Sequence, residues 1–406
     1  MWPSTSADTD RILEQLFYIP QNRDEFEEMT SSKPQRKVYK ILLPHGVNLW
    51  YVQKGDKEFS SCPTYRNCQL EDSADEHWNT SDAIIFRNGY FGGRNKHKPD
   101  GQIWIFYTLE SPINVHLTNF PRNSINWTAS YRFDSDLVTP YAKYVDLDGD
   151  LELMNRLEAI PIETNRSVFK GLLSQKSKNV AWFVSNCNAP NDRLNYAKQL
   201  KKFIDVDIYG ACGQLVCSRG ASTCFEMLNN RYKFYLAFEN SNCRDYITEK
   251  LFQNAMTNRI VPIVMGAPRE DYMRRTPPHS FIHVDDFESP QQLAAYLHRL
   301  SSNDTEYLKY LSWKSHGAFI NTKFWCRLCT MLNVARKRRI NQTYSDLNGW
   351  WQLQSPQDRS QQSVCISEQW SHRQETGYQV NLFNESRRFI SYYVDEESSN
   401  LDRFSS

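Results

Sequence analysis

Short apolar runs separated by polar loops mark the first part of the chain: VYKILLP (38–44), DAIIFRNG (82–89) and QIWIFYTLE (102–110). Each reads as a short apolar strand. From residue 179 the rhythm becomes regular. NVAWFVSN reads as a strand, and DRLNYAKQLKKFI (192–204) as an amphipathic helix with Leu194, Leu200 and Ile204 among its apolar positions. VDIYG, KFYLAFEN, the helix DYITEKLFQNAMTN, and the strands RIVPIVMG (259–266) and FIHVDDF (281–287) follow. In SPQQLAAYLHRL, Ser289 at N-cap, Pro290 at N1 and Gln292 at N3 form a capping box with proline in its preferred place.

Strands alternating with helices predict parallel βαβ units and an α/β fold. The 406 residues are too many for one ordinary core. Two blocks, 37–175 and 176–335, are expected as Rossmann-like domains facing a cleft. Residues 1–36 are polar and acidic and read as a stalk or linker, and 336–406 as an irregular polar tail. The RKRR at 336–339 reads as a solvated basic cluster.

Composition narrows the class. A net charge of +1 gives no global field toward nucleic acid or anionic membrane, so any anion site must be local. The aromatic share of 14% suits sugar or base stacking, although aromatic residues serve cores first. Ten cysteines are a disulfide framework or metal sites. Together with N-x-S/T sequons at Asn79, Asn126, Asn165, Asn303, Asn341 and Asn384, they favour an oxidising, lumenal or extracellular setting. The start, MWPSTSADTDRILEQLFYIP, has no apolar run of bilayer length. A membrane anchor is therefore expected outside this chain.

The concentrated chemistry is FENSNCRDYITEK (238–250), where an apolar strand runs out. Ligands of open α/β sheets sit beyond the carboxyl ends of strands. Asp245 is expected to cap a helix there. On it Tyr246, Glu249, Lys250 and Gln253 would share a face, offering donors to phosphate oxygens and an acceptor to ribose hydroxyls. A surface Glu and Lys beside a half-buried Tyr is the plainer alternative. A second strand end, with Ser185 and Asn186 before Arg193, would aim a guanidinium at the same phosphates. Asp-x-Asp pairs recur at Asp134/Asp136, Asp146/Asp148, Asp148/Asp150 and Asp205/Asp207, too often to single out a metal site. DLDGDL fails as a calcium loop, with Leu151 in place of glycine and Leu157 in place of the closing Glu.

YKFYLAFENSNCRDYITEKLFQNA and VPIVMGAPREDY…PPHSFIHVDDFESPQQLAAYL resemble the donor-binding signature of the α1,3-fucosyltransferases. YTLESP, NWTASYRFDSDLVTPY and VSNCNAPNDRLNYAKQL resemble other blocks of that family, in order, over about residues 38–335. The resemblance implies a GT-B fold, GDP-fucose as donor and inversion at the fucose anomeric carbon. It implies that Arg193 and Lys250 neutralise the pyrophosphate and that Tyr246 donates a further hydrogen bond. Glu249 would bind the ribose or lie near the positive charge developing on fucose, and Asn240, Ser185 and Asn186 would line the donor pocket. Glu110, in LESP, matches the family's base; by itself it could equally be a Glu satisfied by backbone amides at a strand end.

The resemblance also implies disulfides from Cys326 and Cys329 back to Cys62 and Cys68, and so no zinc. Cys212, Cys217, Cys224, Cys243 and Cys365 are expected to be structural with their pairing open, and Cys187 is a candidate free thiol. YGACGQLVCSRGASTCFEML, INTKFWCRLCTML and YSDLNGWW resemble the core-type members, which act on the innermost asparagine-linked GlcNAc of N-glycans. Partners are then GDP-fucose and glycoprotein N-glycans, with no nucleic acid and membrane contact only through the missing anchor. No cofactor is required for the chemistry, metal sites are expected to be none, and Mn²⁺ stimulation stays open. The expected location is the Golgi lumen. Transfer to outer N-acetyllactosamine by a Lewis-type enzyme, a peptide-directed fucosyltransferase and a catalytically silent glycan-binding module are the alternatives.

Overall fold

The computed structural model describes residues 10–18, 20, 37–91, 96–147 (except 116, 118 and 119), 152, 154–155, 171, 173–218, 221–337, 342–353 and 363–366. Six parallel strands build the first sheet: β1 (Tyr39–Leu42), β2 (Cys68–Glu71), β3 (Ala83–Arg87), β4 (Ile103–Thr108), β5 (Trp127–Ser130) and β6 (Leu137–Val138), in spatial order β2-β1-β3-β4-β5-β6. Apolar layers cover both faces, which is why these strands read as continuous rather than alternating runs. β7 (Lys143–Asp146) leaves this domain.

The second sheet contains β8 (Lys178–Phe183), β9 (Val206–Tyr209), β10 (Tyr232–Phe238), β11 (Val261–Met265) and β12 (Ile282–His283), all parallel, in order β12-β11-β10-β8-β9. Between and after them run α1 (Arg193–Leu200), α2 (Ser222–Arg231), α3 (Glu249–Leu251), α4 (Arg269–Arg275) and α5 (Pro290–Ser301). α5 starts as its sequence requires. Ser289 Oγ accepts the Gln292 amide N–H at 3.3 Å with Pro290 in the first turn, while the Gln292 side chain returns to the Glu288 N–H at 3.1 Å instead of closing on Ser289. β13 (Gly317–Ile320) then runs antiparallel against β7, so the outgoing and returning chain cross between domains as a pair.

Three boundaries differ from expectation. The helix Phe324–Lys337 (α6) belongs to the first domain, where Leu328, Met331, Leu332 and Val334 join the core of β1 to β4. Cys62–Cys326 and Cys68–Cys329 fix it there, closing 264 and 261 residues. The expected linker is ordered over Arg11–Leu16, a helix whose Gln15 donates to Asp136 O (2.7 Å) and accepts from Arg327 (3.0 Å). The expected irregular tail contains Leu347–Gln352, a helix that buries Trp350 and Trp351 against the first sheet's other face. Two adjacent tryptophans are reason enough to fold back: each exposes a large apolar surface that the sheet can cover.

Candidate active site

With strands taken in chain order, both sheets are wound 2-1-3-4-5, the first carrying a sixth strand at its end. In such a sheet the winding reverses between strands 1 and 3, and a crevice opens beyond their carboxyl ends. In the second domain those strands are β8 and β10. Arg193, at the start of α1, spans that crevice: its guanidinium donates to Phe238 O at 2.7 Å and to Asn186 O at 3.1 Å, and its Nε–H has no protein acceptor. Burial pulls its pKa below the ordinary guanidinium value, opposed first by the Glu239 carboxylate. Asn191 adds a second bridge, donating to Glu239 O (2.9 Å) and Asn242 Oδ1 (3.0 Å).

Ser185 and Asn186 are exposed at the end of β8, and Asn186 Oδ1 accepts the Asn188 N–H at 3.2 Å. A Cys187–Cys212 disulfide ties this loop to the turn after β9, so Cys187 is not a free thiol. Gly210 in that turn has φ +98°, and a Cβ there would stand 2.5 Å from Val184 O. The two strand ends can approach this closely only without a side chain. The other two disulfides are Cys217–Cys224 and Cys243–Cys365, the latter holding the tail on the FENSNC loop.

The region after β10 departs from the expected helix. Asp245 is left-handed (φ +61°) and caps nothing; its carboxylate accepts the Phe133 N–H of the first domain at 3.2 Å. The helical stretch begins at Glu249 with Thr248 as its cap, and widens to a π turn over Phe252–Met256. The helix starts one turn later than expected, after Cys243, which is paired with Cys365, and the turn that follows it. Tyr246 therefore precedes it, and the face expected to join Tyr246, Glu249, Lys250 and Gln253 does not form.

Polarity is instead organised by Glu239, a residue of FENSNCRDYITEK outside the expected site residues. Its fully buried carboxylate accepts the Thr248 N–H (2.7 Å) and hydroxyl (2.8 Å) and lies 3.1 Å from Lys250 Nζ. Lys250 Nζ also sits 3.1 Å from Glu249 Oε1. Burial would lower the ammonium's pKa, but the two carboxylates outweigh it and raise the value. Burial likewise favours the neutral form of Glu249, yet Lys250 and Thr248 hold its carboxyl below the usual range. Glu239 is raised by burial, against the pull of Lys250. Gly266, at the end of β11 with φ +147°, makes the room: its Cβ would meet Glu239 Cβ at 2.7 Å. The one available signal was position, a carboxylate directly after a wholly apolar strand.

Glu110 reaches the same place from the first domain. It is exposed beyond the end of β4, and its N–H donates to Thr108 Oγ1 at 3.1 Å. Ser111, next to it, lies 2.8 Å from Ser241 across the cleft, with both hydroxyls buried. Tyr141 donates to Leu109 O at 2.9 Å. The Tyr246 phenol is raised by burial and then by Glu239, Tyr141 and Glu110, so carboxylates of both domains converge on it. Asn240, half-buried, accepts from Ser241 at 3.1 Å. Contacts thus join Arg193 to Asn186, Lys250 to Glu249, and Ser111, next to Glu110, to Ser241, next to Asn240, while Tyr246 is buried against Tyr131.

The Asp134/Asp136 carboxylates point to different partners, Asp134 to Arg132 and Arg244, Asp136 to Thr128 and Tyr344. Among the sequons, Asn79 and Asn303 are exposed. Asn126 is buried, accepts the Trp104 N–H and donates to Gln342 O, so its amide has no room for a glycan in the folded chain. Asn165, Asn341 and Asn384 lie outside the described residues.

Comparison with known proteins bears on this cleft. Residues 173–350 match the family model described as glycosyltransferase family 10 (fucosyltransferase) C-term, and 41–142 that described as fucosyltransferase, N-terminal. The chain is 44% identical over 372 residues to glycoprotein 3-alpha-L-fucosyltransferase A of Drosophila melanogaster, covering 91% of this chain and 68% of that protein. It is 34% identical over 322 residues to alpha-(1,3)-fucosyltransferase 7 of Rattus norvegicus, covering 77% and 79%. Its fold is that of a crystallised alpha1,3-fucosyltransferase with GDP, at a TM-score of 0.51 and 19% identity over 82% of this chain and 97% of the other. A structure with GDP-fucose superposes at 0.50, over 82% and 96%, again at 19% identity. These neighbours establish the GT-B architecture.

Proposed function

The chain belongs to glycosyltransferase family 10, the fucosyltransferases, and from that premise we propose that it transfers fucose from GDP-fucose in α1,3 linkage to the innermost asparagine-linked GlcNAc of N-glycans, inverting the anomeric carbon. The single observation that supports the catalytic reading is the 2.8 Å contact of Ser111, the residue after Glu110, with Ser241, the residue after Asn240. The acceptor's O3 attacks C1 of fucose while its proton passes to Glu110. The C1–O bond to the β-phosphate breaks, and its electron pair leaves with GDP, whose charge Arg193 and Lys250 stabilise. Arg193 has an N–H to spare; Lys250 is charged but already shared by two carboxylates, so the pyrophosphate would compete with Glu249 for it.

The 44% identity to the Drosophila enzyme supports the N-glycan acceptor. Five disulfides and two exposed sequons support a lumenal setting, in which we place the enzyme in the Golgi. Among the described residues no helix is long and apolar enough to cross a membrane.

The test is transfer from GDP-fucose to a GlcNAc-terminated N-glycopeptide beside N-acetyllactosamine, read by mass and linkage. One deoxyhexose α1,3-linked to the innermost GlcNAc is expected. Transfer to N-acetyllactosamine alone would replace the acceptor and leave the donor chemistry standing.

A further inference from the structure

A cavity of about 450 Å³ opens at the amino-terminal edge of the first sheet, where β1, β3 and β4 begin. It faces away from the catalytic end: Glu110 follows the other end of β4, a strand about 17 Å long. Its size falls within the range of small-molecule sites, roughly 300–1,000 Å³. Tyr39 and, from α6, Leu332 and Ala335 supply apolar lining, while Lys37, Asp82 and Asp100 supply polar lining. Such a wall suits a ligand with both apolar and hydroxyl-bearing surface.

The rest of the wall includes a complete sequon, Asn79-Thr80-Ser81. It forms a turn after the short helix Ala74–His77, closed by the Thr80 and Ser81 N–H groups on His77 O at 3.2 and 3.0 Å. Gln102 fastens the turn to the start of β4, donating to Trp78 O at 2.6 Å and to Ser81 O at 2.9 Å. The backbone is thus committed, while the Asn79 side chain is exposed and makes no hydrogen bond among the described residues. Asn303, the other exposed sequon asparagine, instead accepts the Glu306 N–H at 3.1 Å as a helix cap. Ser81 adds an independent observation. Its hydroxyl is buried with no partner among the described residues, a cost that alanine would avoid. The folded chain makes no use of that hydroxyl; recognition of the sequon before folding does.

We propose that Asn79 carries an N-glycan whose first GlcNAc seats in this cavity and joins the sequon turn to α6. The attachment step forms a bond from Asn79 Nδ2 to C1 of the oligosaccharide with loss of one Nδ2 proton. The C1–O bond of a lipid-diphosphate oligosaccharide donor breaks, and the lipid diphosphate leaves with the electron pair. Attachment argues the occupant: with the linking nitrogen in the wall, the first sugar is held at the cavity at an effective concentration that a free ligand does not reach. Its acetamido methyl and ring C–H groups meet Tyr39, Leu332 and Ala335, and its hydroxyls meet the polar lining. The seat rests on the proposed lumenal setting and is independent of which acceptor the enzyme uses.

For the test, the chain is secreted behind a signal peptide from cells confined to high-mannose glycans, and occupancy of Asn79 and Asn303 is read by mass. Three forms are then melted: untreated protein, protein trimmed in the folded state by an endoglycosidase that leaves one GlcNAc, and Asn79→Gln. Asn79 is expected to be occupied, and the trimmed protein to melt with the untreated. Asn79→Gln is expected to melt about 2–4 °C lower, with kcat and KM for GDP-fucose unchanged. Amide hydrogens of residues 79–82 and 332–335 are expected to exchange faster in it. If that variant is not secreted, an amidase that strips the whole glycan from the folded protein takes its place. A bare Asn79, or equal melting of Asn79→Gln and untreated protein, overturns the seat. So does a trimmed protein that melts with Asn79→Gln, because sugars beyond the first would then carry the effect. An occupied Asn303 beside a bare Asn79 overturns the seat and leaves the lumenal setting standing; both bare would count against the setting as well.

Discussion

Ser111 Oγ lies 2.8 Å from Ser241 Oγ in a buried position, one hydroxyl from each domain. Removing Ser241 strands Ser111, which costs about 1–3 kcal/mol, whereas Ser241 without Ser111 still donates to Asn240 Oδ1, and removing both is close to neutral. Ser241→Ala should therefore lower kcat by loosening Glu110 against the donor loop while GDP affinity holds. The double variant Ser111→Ala/Ser241→Ala should recover stability. Thermal melts and single-turnover rates on the four proteins of this cycle check it, and additive losses would refute the coupling.

Glu110→Gln keeps the shape of the loop and removes the proton acceptor. GDP affinity by calorimetry should stay within about two-fold, and turnover should fall about 10²- to 10⁴-fold. Turnover near wild type would remove Glu110 as the base.

Lys250→Ala should do two separable things. It leaves Glu239 as a buried carboxylate without its cation, at a cost of about 3–5 kcal/mol. It also weakens GDP. Adding Glu239→Gln should restore most of the stability and none of the GDP affinity. Recovery of both would mean that Lys250 acts only through the fold.

Cys187–Cys212 ties the donor loop of Ser185 and Asn186, while Cys62–Cys326 staples α6 to the first domain. Replacing the first pair by alanine should raise KM for GDP-fucose with a modest change in melting temperature. Replacing the second should cost about 2–4 kcal/mol of stability with KM for GDP-fucose unchanged. Identical effects of the two would contradict the separation.

Asp134 joins the domains through Arg244. Burial acts to raise its pKa, but Arg132 and Arg244 outweigh it and hold the carboxyl below its ordinary value. A lowered folded-state value means that the stability it contributes is complete above about pH 4, the unfolded value, and is lost as pH falls below it. Between pH 5 and pH 3.5 the wild type should lose more melting temperature than Asp134→Asn. Equal losses would show that the pair contributes nothing.

The strands of both sheets were legible because buried parallel strands are short apolar runs, and KFYLAFEN is β10 with its polar stop at the carboxyl end. Arg193 stands at a helix start, where the apolar periodicity that follows it puts it. Tyr246 precedes its helix, after a left-handed Asp245 and close to Cys243, whose partner Cys365 lies 122 residues away where no local pattern names it. Asn126 met the sequon pattern, yet its side chain is consumed by Trp104 and Gln342, partners that no local pattern names.

Local sequence, by itself, determined the α/β alternation, the cap of α5 and the residue types at the strand ends, since each depends on side chains a few positions apart. Tertiary structure alone decided which of those residues share a cleft, the pairing of the cysteines, the role of Glu239 and the return of α6 to the first core. Those depend on distances between segments separated by hundreds of residues, which are set only when the two sheets have closed on their apolar layers.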